Sequence, residues 1–97
     1  MGADDSFAPP MKRSVTIAGH QTSVSLEPMF WRALESAAAA AGHPLNALIA
    51  RIDAERLEAA DPPNLASALR QWLFRAAGGG EYGAGEGLPG VRRDVEP

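Results

Sequence analysis

The sequence predicts a mainly α-helical protein with a short β ribbon: a strand, two helices and one further C-terminal helix, assembled as a homodimer. Three observations carry that reading. Residues 22–26 (TSVSL) alternate polar and apolar, the period-2 signature of a half-buried strand. Pro28, Gly42 and Pro44 then punctuate two amphipathic segments as helix start, helix stop and relink. Finally, a lone strand cannot satisfy its own backbone hydrogen bonds, and the same strand from a second copy is its cheapest partner.

Length and charge bound the rest. The chain has 97 residues, enough for one domain. Residues 1–11 read as a disordered tail with Asp4, Asp5 and a Pro pair. Residues 77–97 read as a disordered Gly-rich tail almost free of bulky apolar side chains. The domain is therefore residues 12–76, about 65 residues, a size that buries too little surface to be comfortably stable alone. Dimerisation would offset that shortfall. The chain contains no cysteine, which excludes disulfides and thiolate metal sites. It has no membrane-length apolar run and no basic-then-apolar leader, so a soluble cytoplasmic protein is expected, with no membrane partner. The net charge is −3, but residues 12–76 carry seven basic residues against six acidic ones, and the negative balance sits in the tails.

Taken in order, residues 12–17 (KRSVTI) alternate, with Val15 and Ile17 on one face and Ser14 and Thr16 on the other. Residues 18–21 (AGHQ) look like a turn. Residues 22–26 alternate again, with Val24 and Leu26 on one face and Ser23 and Ser25 on the other. The two runs could form a hairpin, or the first could be an extended arm leading into the ribbon strand. Pro28 suits the first position of a helix running to Ala41, whose Phe30, Trp31, Leu34, Ala37, Ala38 and Ala41 share a face. The alanine run makes that helix intrinsically strong. A second helix is expected from Leu45 to about Ala59, burying Leu45, Leu48, Ile49 and Ile52. Asp61-Pro62-Pro63 breaks the chain. Asn64 then caps a third helix to Ala76, with Leu65, Ala68, Leu69, Trp72 and Leu73 as its apolar face.

This layout, over residues 21–59, resembles the ribbon-helix-helix superfamily, the group of the Arc and methionine repressors. Together with the runs KRSVTIAGHQTSVSLEP, LNALIARID and NLASALRQWL it is also similar to a small bacterial subgroup of that superfamily. The resemblance implies a dimeric, cytoplasmic transcriptional regulator that binds DNA sequence-specifically. Its ribbon would lie in the major groove, where alternate side chains read base edges. Carried over, the reading residues are Gln21, Ser23 and Ser25. The start of the second helix (Leu45, Asn46, Ala47) would hold a phosphate with free backbone N–H groups, although Pro44 stands where relatives have a Ser or Thr cap. Lys12 and Arg13 would add phosphate contacts. Val24, Leu26, Trp31, Leu34, Ile49 and Ile52 would form the dimer core. If residues 12–17 fold back on 22–26, the dimer has a four-stranded sheet, which is too wide for the groove and closes the major-groove route; either that arm stays off the ribbon or the DNA-binding mode differs.

The alternative is a dimeric protein–protein interaction module on the same fold that does not bind DNA. The near-neutral core, the acidic tails, the serine-rich strand face and the possible hairpin favour it. Nothing points to an enzyme, a metal or a cofactor: His20 and His43 are isolated, and no nucleophile–base set is recognisable. The run GGGEYGAGEG lacks the Lys-Ser/Thr that would follow a phosphate loop and reads as linker.

Overall fold

The computed structural model describes residues 7–79; the expectations for residues 1–6 and 80–97 lie outside the described residues. Strand β1 (Met11–Ile17) and strand β2 (His20–Leu26) form an antiparallel two-stranded sheet. Helices α1 (Pro28–Ala41), α2 (Leu45–Leu57) and α3 (Leu65–Ala76) follow. Of the two open possibilities for residues 12–17, the hairpin is the one found. The strand expected to await a twin is already paired within its own chain.

The turn is tighter than the four residues expected. Ile17 pairs with His20, leaving Ala18 and Gly19 as the loop, with φ of 52° and 84°. Positive φ at both central residues is the type I′ signature, whose twist matches that of the flanking strands. Gly19 adopts it freely; Ala18 does so against the preference of an L side chain.

The helix ends follow their local chemistry. Gly42 closes α1 in the left-handed conformation (φ 75°), and its N–H donates to the carbonyls of Ala38 and Ala39. Asn64 caps α3, its Oδ1 accepting from the Ser67 N–H at 2.8 Å. Between α2 and α3, Arg56 donates to Asp53 Oδ1 at 2.9 Å and to the Pro63 carbonyl at 3.0 Å, holding the proline linker against the helix it leaves.

The core lies between the inner sheet face and the three helices. Val15, Val24 and Leu26 from the sheet meet Trp31, Leu34 and Ala38 of α1, Leu48, Ile49 and Ile52 of α2, and Leu69 and Leu73 of α3. Leu26, Leu34, Ile49 and Leu69 are fully buried. Ala41, expected on the inner face of α1, is exposed, and Trp72 is only half-buried at the edge of the core. Val24, Leu26, Trp31, Leu34, Ile49 and Ile52 are buried within a single chain, so their burial needs no second copy.

Candidate nucleic-acid interface

The register assigns every strand residue to a face. Lys12 pairs with Ser25, Ser14 with Ser23, and Thr16 with Gln21. Period-2 alternation puts these side chains together on the face opposite Val15, Val24 and Leu26, and each of them is exposed. The outward face of the hairpin is thus wholly polar: four hydroxyls, one amide and one ammonium. The expected reading residues Gln21, Ser23 and Ser25 lie along one strand of it. Ser14 and Thr16, which the resemblance had not singled out, stand directly opposite two of them. Their signal was present in the sequence, since residues 12–17 and 22–26 share one alternation; only the pairing was missing.

Lys12 and Arg13, adjacent in sequence, part company. Lys12 lies on the outward face. Arg13 belongs to the inward set with Val15 and Ile17, and its guanidinium carbon sits 4.6 Å from the centroid of the Trp31 ring. Its Nη1 also donates to Glu35 Oε2 at 3.1 Å. The Trp31 indole N–H donates in turn to the Met11 carbonyl at 2.9 Å, fastening α1 to the start of β1. In this structure the Arg13 charge is spent on the hairpin–α1 junction.

The start of α2 sits beside β1. Asn46 Oδ1 accepts a long hydrogen bond (3.4 Å) from the Thr16 backbone N–H, so the asparagine side chain faces the strand edge. The helix has no side-chain cap: Pro44 is its N-cap and carries no donor. Of the first amides, that of Ala47 donates to the Pro44 carbonyl at 3.0 Å. Those of Leu45 and Asn46 lie in the first turn, where a helix offers no internal acceptor. The β1 edge and a helix N-terminus are thus joined by one side chain.

At the far end of β2, the Glu27 carboxylate receives Arg70 Nε and Nη2 at 3.2 and 3.0 Å, tying α3 to the strand–helix junction. Its pKa is held below the ordinary 4.5, first by a backbone hydrogen bond and then by the hydrogen bond from Arg70.

Residues 10–77 match the family of ribbon-helix-helix domains. That span covers most of the chain, and the protein belongs to this family. No curated protein and no solved structure matches the chain. No helix among the described residues is long and apolar enough to cross a membrane.

Proposed function

We propose that this protein is a sequence-specific DNA-binding regulator of transcription, acting in the cytoplasm as a homodimer, with the hairpin as the element that enters the major groove. The carrying observation is the outward face: polar, exposed, two strands wide and backed by a packed core. A ribbon of two strands is about 5 Å between backbones and fits a groove about 12 Å wide. Four strands span about 14 Å between their outer backbones, so two copies joined through β2 would not enter. The major-groove reading therefore requires a homodimer joined through another face, which would leave each hairpin its own half-site. Gln21 suits an adenine edge, and Ser23 and Ser25 can donate or accept. Lys12 supplies phosphate attraction from the same face. The Leu45 and Asn46 amides offer a flanking phosphate site, reinforced by the helix dipole.

The experiment is duplex binding measured against salt concentration with a pool of random sequences. Affinity that falls linearly in log–log form as salt rises marks phosphate contacts. Absence of binding at low salt removes the proposal.

A second reading rests on a different observation. An open apolar groove of about 920 Å³ runs between α1 and α3, lined by Met29, Phe30, Ala33, Ala37, Leu73 and Phe74. Met29 and Phe74 are 55% and 62% exposed there. A protein-interaction module would use this groove, and loss of a partner on Phe74→Ser without any DNA binding by the parent chain would select that reading.

A further inference from the structure

We propose that the open groove between α1 and α3 is the docking site of this chain's own C-terminal segment, residues 81–88 (EYGAGEGL). Tyr82 and Leu88 are its apolar anchors, and Glu81 and Glu86 lie beside the arginines of the groove. The inference is independent of the DNA-binding reading. The groove is floored by Phe30, Ala33, Ala37 and Leu73, and Met29 and Phe74 stand 55% and 62% exposed along it. Its lining includes two cations, Arg70 and Arg75, and no carboxylate. Arg70 meets Glu27 at 3.0 Å, whereas Arg75 has no ion-pair partner among the described residues. The site thus calls for an occupant with apolar side chains and negative charge.

The end of α3 delivers such an occupant to the groove. Gly78 is left-handed (φ 94°) and its N–H donates to the Arg75 carbonyl at 2.9 Å, which turns the chain out of the helix. Gly79 is buried and lies so close to the Phe74 ring that a Cβ there would collide with it. The chain therefore passes Gly79 against a side chain that lines the groove. From Gly79 to Tyr82 an extended chain spans up to about 10 Å, the separation of two packed helix axes, so Tyr82 reaches from Phe74 across to α1. Residues 81–88 carry two carboxylates and no cation, the complement of Arg70 and Arg75. Gly83, Gly85 and Gly87 have no side chains to hold the segment off the floor. The tether gives the segment an effective concentration in the millimolar range, so a weak contact suffices. A second copy seated there would instead set these arginines against their twins, like charge against like. Any protein partner that used the groove would first have to displace the segment.

The test is NMR of the full chain with isotope-labelled methionine and alanine methyl groups. Nuclear Overhauser contacts are expected from the Tyr82 ring to the methyls of Met29, Ala33 or Ala37, with intensities independent of protein concentration. The full chain carrying Tyr82→Ser and Leu88→Ser is expected to lose these contacts, to shift the same methyl signals and to bind an apolar dye several-fold more strongly. Both substitutions lie outside the packed core, and thermal unfolding checks that the fold is kept. Arg75→Glu is expected to weaken the contacts, and adding Glu81→Arg and Glu86→Arg to restore them. Absence of any contact from Tyr82 or Leu88 to the groove, with methyl signals and dye binding alike in the parent and the double variant, overturns the inference. Contacts that arise only at raised concentration, or between labelled and unlabelled chains, place a second copy in the groove and also overturn it.

Discussion

The Arg13 guanidinium lies 4.6 Å from the Trp31 ring centroid, and the same side chain donates to Glu35 at 3.1 Å. A charge that the sequence offers to phosphate is thereby engaged inside the protein, between the inner face of β1 and helix α1. Lys12, one residue earlier, points the other way.

The two basic residues should therefore separate experimentally. Arg13→Ala is expected to cost about 1 kcal/mol of stability, the scale of an exposed cation–π contact plus a partly exposed ion pair. Lys12→Ala should leave the unfolding midpoint unchanged and weaken DNA binding equally for all sequences, because phosphates carry no sequence. Denaturant unfolding and duplex titration of both variants check this. An Arg13→Ala chain of parental stability with uniformly weakened DNA binding would show that its charge serves phosphate after all.

Helix α3 is part of the folded unit through Leu69, which is fully buried among residues of the sheet, α1 and α2. Leu69→Ala is expected to cost about 2–5 kcal/mol by lost burial and the cavity left behind. Trp72→Ala should cost less, because Trp72 is half-buried at the edge of the core. A chain ending at Asp61 should lose most of its stability. Equal chemical denaturation curves for that shortened chain and its parent would contradict the packing described for α3.

Acid stability should depend on Glu27. Its folded pKa lies below its ordinary 4.5, first because of a backbone hydrogen bond and then because of Arg70. A depressed carboxyl pKa contributes stability that is fully present above the unfolded value and is lost as pH falls through the folded one. Glu27→Gln is therefore expected to unfold at a midpoint that varies less with pH below about 4.5, while near neutrality it is less stable than the parent. Parallel pH dependence in the two chains would mean that the Glu27 carboxyl is not held below its ordinary value in solution.

How much of this was legible beforehand differs by element. The helices were readable because their ends are written in local chemistry: Pro28 at a start, Gly42 at a stop, Asn64 at a cap, each acting on its own backbone neighbours. The second helix was expected to reach about Ala59 and ends at Leu57, where no comparable stop signal stands. The hairpin was only half legible. Alternation at 12–17 and 22–26 suits a paired strand and a free arm equally, and Ala18 disguises a turn whose residues usually read Asn-Gly. Alternation places Arg13 with Val15 and Ile17, on the face opposite Lys12. Its partners Trp31 and Glu35 come from a helix, a meeting that no local pattern encodes. The same holds for Glu27 with Arg70 and for Thr16 with Asn46.

The most direct test of the outward face as a reading surface is the base preference of Gln21→Ala, measured beside the parent chain on random duplexes at matched salt. Gln21 is exposed at the turn end of β2, opposite Thr16, and touches nothing in the core, so its loss should not disturb folding. The expected result is a parent chain that selects a defined sequence and a variant that loses preference at one position, by roughly 1–3 kcal/mol. Identical sequence selection by the two chains, or no selection by either, would contradict it.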